Sequence, residues 1–160
     1  MLKKSTLILT LIFFTWLQLS SQSKKEIKKL RIKSATSIII EGSKLQKDNI
    51  RLFNADGNVT EEIEYHPDGS VKKKMAFKYN SNKDVSEEQE FDASGNLKEK
   101  TTISYNSFNE KSEEKVADGA GNLIRKIEYS YDKNGLRTEK KAFDPSGKLI
   151  STRKYSYEYK

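Results

Sequence analysis

The chain has 160 residues, no cysteine and a net charge of +7, with 33% charged and 34% hydrophobic residues. That length suits one ordinary domain, and the missing cysteine excludes a disulfide framework and a thiolate metal site. The charge is local: Lys3 and Lys4 supply two, Lys24–Lys33 sets six basic residues against Glu26, and from Ser34 onward 22 basic residues balance 22 acidic ones. A body without excess charge lacks the electrostatic footprint of a nucleic-acid binder.

In chain order, residues 1–22 read as a secretory signal peptide. Basic Lys3-Lys4 precedes an apolar run of about 13 residues, Leu7–Leu19, which ends at Ser20-Ser21-Gln22-Ser23. A spanning helix needs roughly 20 apolar residues, so export to the periplasm or medium is expected rather than a stable span, with cleavage between Ser20 and Ser23. With no cysteine there, a lipid anchor is excluded. Residues 23–31 are expected to be a solvated basic linker, able at most to touch an acidic surface.

Residues 32–160 are expected to form one β-domain. Arg31–Glu41 and Lys47–Phe53 read as strands joined at Gly42-Ser43. Their apolar residues Ile32, Ile38, Ile40, Ile50 and Leu52 fall at even positions, which predicts a register change near Phe53.

From Phe53 onward a turn signal recurs. It starts at Phe53, Tyr65, Tyr79, Phe91, Tyr105, Ala117, Tyr131 and Phe143, with steps that alternate between 12 and 14 residues, so the true period is 26. An Asp or Asn after the aromatic can bond backbone two residues on, and Gly57, Gly69, Gly95, Gly121, Gly135 and Gly147 supply the positive φ that closes a bulged hairpin. Asn109 substitutes well at that position; Lys83 predicts strain or a shifted turn.

Between turns the chain alternates. From Val59 to Tyr159, 21 large apolar residues sit at odd positions and five at even ones, which predicts strands with a single shared apolar face. Short strands (59–65, 85–91, 111–117, 137–143) alternate with long ones (71–79, 97–105, 123–131, 149–159). Glutamates of short strands, such as Glu64 and Glu90, should face lysines of long ones, such as Lys72 and Lys98. The predicted fold is all-β: an antiparallel up-and-down meander of about ten strands, curved or barrel-like. Charged residues at the supposed inward positions Glu61, Lys73, Glu87, Glu99, Glu113, Arg125 and Glu139 argue against a tight dry barrel.

No catalytic constellation is visible. His66, the one histidine, occupies the Asp slot of a turn, and the carboxylate pairs Glu61-Glu62, Glu87-Glu88 and Glu113-Glu114 point to opposite faces of their strands. None of the Asp-Gly turns has calcium-loop spacing, and no phosphate loop occurs. No cofactor or metal is expected, and the chain is read as non-enzymatic. Tyrosines gather at the C-terminus: Tyr129, Tyr131, Tyr155, Tyr157 and Tyr159 form the candidate binding surface, suited to a sugar ring or a protein, unless they simply pack inward. A strand edge there could also pair with another chain.

The segments YDKNGLR, FDPSGKL and FDASGNL, with the long strands that follow them, resemble the YD or RHS repeat, in which such a core opens the hairpins of a spiralling β-sheet. The likeness spans about 53–160, with Tyr131-Asp132 the one literal YD. Large members of that family build shells around toxin cargo or serve as cell-surface adhesive modules. This chain is too short for a shell and is more similar to small exported bacterial repeat proteins. Tandem-hairpin antitoxins of the YwqK type are a looser likeness. The resemblance implies a binding or structural module of the bacterial envelope or exterior, with a carbohydrate-binding protein or an antitoxin-like immunity protein as alternatives.

Overall fold

A computed structural model describes residues 23–160; the expected signal peptide lies outside them. One short helix, α1 (Lys24–Leu30), precedes ten strands: β1 (Ser34–Glu41), β2 (Lys44–Phe53), β3 (Val59–Tyr65), β4 (Val71–Tyr79), β5 (Val85–Phe91), β6 (Leu97–Tyr105), β7 (Lys111–Asp118), β8 (Leu123–Tyr131), β9 (Arg137–Phe143) and β10 (Leu149–Lys154). They form one antiparallel sheet in sequence order, β1 through β10. Each strand pairs only with its chain neighbours, so the sheet is open, with β1 and β10 as its rims. The barrel-like closure expected as one possibility does not occur.

The turn chemistry follows the repeat. In each loop after Phe53 the Asx-position N–H donates to the carbonyl four residues on, and the glycine-position N–H donates back, as in Asn54 with Asn58 and Gly57, both 2.9 Å. The Asx side chain adds its own acceptor: Asp92 Oδ1 takes the N–H of Ser94 and of Asn96, both at 2.9 Å. His66 keeps the backbone bonds of this turn, donating to Ser70 O at 2.8 Å, and so serves as a turn residue. Lys83 and Asn109 hold the glycine position at φ 68° and 64°, so the turn at Lys83 is strained rather than shifted.

The single apolar face does not survive. After each of these loops the second residue of the new strand is a bulge: Tyr65 opposes Val71, yet Glu64 opposes Lys73, leaving Lys72 extra. The same slip occurs at Thr60, Ser86, Lys98, Ser112, Ile124, Thr138 and Ile150. One extra residue reverses the alternation, because opposed residues share a face and successive residues do not. Odd positions therefore swap faces inside every strand from β3 onward. Met75, Phe77, Ile103, Ile127 and Tyr129 lie on a front face with the even-numbered Val116. Ile63, Phe91, Leu97 and Phe143 lie on the back face. A further bulge at Asp48, between the Ser37–Asn49 and Ile38–Lys47 pairs, accounts for the even register of β1 and β2.

Burial reflects this division. Val116 at 2% exposure, Ile103 at 5% and Ile127 at 6% form a small front-face core across β6, β7 and β8. Most other strand residues are half-buried on one face or the other. The ion pairs also follow the true faces. Lys72–Glu64 (3.4 Å) and Lys98–Glu90 (3.3 Å) join as the charge pattern predicts. Lys74 instead meets Glu61 (2.9 Å) and Lys78 meets Glu87 (2.8 Å), two carboxylates that simple alternation would turn inward. Such exposed pairs contribute a few tenths of a kcal/mol each.

A 26-residue tyrosine series fastens the long strands. The hydroxyls of Tyr79, Tyr105, Tyr131 and Tyr157 donate to the carbonyls of Val59, Val85, Lys111 and Arg137, each 20 residues earlier, at 2.6 to 2.8 Å. Each acceptor is the first residue of β3, β5, β7 or β9, next to its bulge. Tyr105→Phe is expected to lower stability by about 1 kcal/mol, the net worth of one such bond, in urea-unfolding curves with an unchanged slope.

Candidate interaction surface

The two ends of the sheet differ. At one end lie the loops 54–58, 80–84, 106–110 and 132–136, and these touch one another. Lys83 Nζ reaches Asp56 at 2.8 Å, Asn82 donates to Asn109 at 2.9 Å, and Asn109 donates to Asp84 at 2.8 Å. At the far end, a Cβ placed on Gly69, Gly95, Gly121 or Gly147 would meet nothing within 4 Å. The loops stand together at the first end and apart at the second.

α1 closes the crowded end, in place of the expected linker. Ser23 caps it in a reciprocal capping box with Glu26, Arg31 ends it at φ 52°, and Ile27 is buried. The Ser-x-x-Glu spacing is the sequence signal for this helix. Lys28 reaches Asp56 at 3.0 Å, so Asp56 sits between two ammonium groups. The bonds from Lys83 and then Lys28 hold its carboxyl down at a pKa of about 2. A carboxylate depressed in the folded state contributes stability above its unfolded pKa, near 3.8, and loses it as pH falls through about 2. The α1 contact is therefore expected to loosen between about pH 4 and pH 2, seen as a falling amide-exchange protection factor at Ile32, whose N–H donates to Ile27 O. Asp56→Asn should remove the pH dependence of that protection factor.

The candidate tyrosines divide by role. Tyr131 and Tyr157 spend their hydroxyls on the carbonyls named above, as do Tyr79 and Tyr105, so the repeat explains them. Tyr129 is half-buried beneath Arg137, whose guanidinium carbon lies 4.5 Å from the ring centroid, with Lys140 Nζ at 5.6 Å. Burial, and then the Glu114 carboxylate beside it, push its phenol well above the usual range. Arg137 Nε is buried without a hydrogen-bond partner. Tyr155 continues the ladder one step, donating its N–H to Thr138 O at 3.0 Å. β10 ends at Lys154, not at residue 159: beyond its last pair, Lys154 with Glu139, β9 has only the bulged Thr138 and Arg137 left to offer. Tyr157 and Tyr159 are 44% and 75% exposed. The structure thus gathers Tyr129, Tyr131, Tyr155 and Tyr157 around Arg137 and leaves Tyr159 apart.

The rims are the least satisfied part of the surface. On β1 and its hairpin, Ile38, Ile39, Ile40 and Leu45 are 54%, 43%, 68% and 72% exposed. β1 carries one charge, Glu41, in eight residues, whereas β10 is six residues long and includes Arg153 and Lys154. Charged, short rims resist pairing; long uncharged ones invite it. Among the described residues no group of acidic, histidine or cysteine side chains is placed to hold a metal ion. No described helix is long and apolar enough to cross a membrane.

Comparison with known proteins matches one hairpin of the chain to a repeat family. Residues 58–79, which cover β3, its following loop and β4, match the MORN repeat variant family. No curated protein matches the chain. Among solved structures, a porin-like protein from Bacteroides uniformis has 15% identity and a TM-score of 0.45, over 78% of this chain and 49% of that one. The chain thus spans about half the length of that protein. A protein of unknown function from Bacteroides fragilis has 16% identity and a TM-score of 0.41, over 79% of this chain and 96% of that one. TarM of S. aureus has 18% identity and a TM-score of 0.32, over 84% of this chain and 25% of that one. The chain is a repeat β-protein.

Proposed function

We propose that this chain is an exported, non-catalytic module that binds another protein by adding a strand to the rim of its open sheet. The observation that supports this most is β1, a long rim with three exposed isoleucines and no charge before Glu41. The N-terminal pattern supports export, and the resemblance of the YDKNGLR, FDPSGKL and FDASGNL segments to the YD repeat supports a likeness to small exported repeat proteins. A photo-crosslinking residue at position 39, in cells exporting the full chain, should give a discrete adduct outside the cytoplasm. The same residue at position 94, in an exposed far-end loop, should give none. The absence of adducts at every strand position overturns the reading. So does turnover by the purified protein that one substitution abolishes.

Tyr155 and the exposed Tyr157, gathered beside Arg137, favour a second reading, in which a sugar ring stacks on those tyrosines. Glycan-array binding that is lost in Tyr155→Ala supports it, and an empty array rejects it.

A further inference from the structure

We propose that β1 forms the interface of a two-fold dimer, in which the β1 strands of two copies pair antiparallel about Ser37. This rests on the interaction-module reading above and names its partner as a second copy of this chain. An antiparallel two-fold contact keeps each face of the sheet on its own side, so residues of the two copies oppose one another only if both lie on the same face. The bulge beside β1 lies in β2, at Asp48, so β1 alternates without interruption. Even positions of one copy must then meet even positions of the other, and odd must meet odd.

Among the registers allowed, the one centred on Ser37 sets Lys33 of each copy opposite Glu41 of the other. Lys33 already extends the ladder, since its carbonyl accepts the Phe53 N–H at 2.9 Å. Both side chains are exposed, and neither has an ion-pair partner among the described residues. Opposite charges directly across a strand pair are favourable, and here they occur twice by symmetry. The same register sets Thr36 against Ile38, Ala35 against Ile39 and Ser34 against Ile40, a small residue facing each large one. Moving the centre to Thr36 or Ile38 places Lys33 and Glu41 opposite uncharged residues or beyond the pairing. β10 does not offer an equivalent charge match, because its only charged residues, Arg153 and Lys154, are both basic. A β10-to-β1 contact would be head-to-tail and would propagate into filaments instead of closing.

The chain has no cysteine, so introduced thiols report the register directly. In the full chain under mild oxidation, Ser37→Cys should give a disulfide-linked dimer. Ala35→Cys and Ile39→Cys should each give little when alone and cross-link when combined in one chain. Light scattering should show a dimer that Lys33→Glu weakens about tenfold, a change of about 1.4 kcal/mol, and that Lys33→Glu with Glu41→Lys restores. A monomer at the highest soluble concentration overturns the dimer. Equal cross-linking by Ala35→Cys and Ser37→Cys, or growth of filaments, overturns it as well. If the monomer still forms an adduct to a different protein at position 39, the dimer fails while the interaction-module reading stands.

Discussion

Gly119→Ala is expected to cost about 2 to 3 kcal/mol of stability, toward the upper end for overpacking a fitted site. Gly119 follows the last residue of β7, where β6 bulges at Lys98. A Cβ there would run into the Leu97 carbonyl, which is backbone and cannot turn aside. The equivalent positions in the other far-end loops are Pro67, Ala93 and Pro145, so the repeat itself does not demand glycine. The demand is local. Ala117 replaces the aromatic that precedes the other loops, and β7 runs one pair further along β6, to Glu99↔Asp118. Gly121→Ala is the control. Gly121 is at φ 89° with open space around it, so alanine there meets only the left-handed backbone cost of about 1 to 2 kcal/mol. Urea midpoints should fall further for Gly119→Ala than for Gly121→Ala. Equal shifts would mean that β6 and β7 part easily.

Gly57→Ala should act differently, by detaching α1 while the sheet persists. Gly57 is at φ 77°, and a Cβ would lie 2.6 Å from Lys24 O and 3.5 Å from Ile27 Cβ. The substitution carries the left-handed cost and also occupies the surface on which Ile27 rests, about 2 kcal/mol in total. The Ile32 amide should exchange at the rate of an open chain in this variant. Amides of β5 to β8 should keep their protection. Preserved protection at Ile32 would show that Lys28 and Lys83 on Asp56 suffice to hold the helix.

The strand count, the loop chemistry and most strand boundaries were legible in the sequence, because Asx, glycine and aromatic residues recur with a fixed period and each has a local job. The faces were not. Alternation reads parity, and a bulge resets parity without changing the spacing of the loops. The signal was present but unassigned. Glu61, Lys73, Glu87, Glu99, Glu113, Arg125 and Glu139, charged residues at supposedly inward positions, each follow a bulge and face away from the first residue of their own strand. The tyrosine surface was legible as a location but not as a set of roles. The period relates Tyr131 and Tyr157 to Tyr79 and Tyr105, but only the fold shows that all four hydroxyls latch onto a carbonyl 20 residues earlier, and that Arg137 lies over Tyr129. The β1 rim went unremarked because edge status belongs to the finished topology, which short-range pattern does not encode.

Since neither rim closes on the other, nothing in the geometry counts strands. A barrel ties the number of staves to their tilt and shear, and losing one breaks the circle. Here each 26-residue unit brings its own two loops, its own pair of slips and its own tyrosine latch. Duplicating or deleting one whole unit within 59–136 moves the rims apart or together and keeps the backbone pairing pattern, while contacts between particular loops, such as Lys83 with Asp56, change with it. Chain length in this architecture is free to drift in steps of one unit, with selection acting on reach and not on closure.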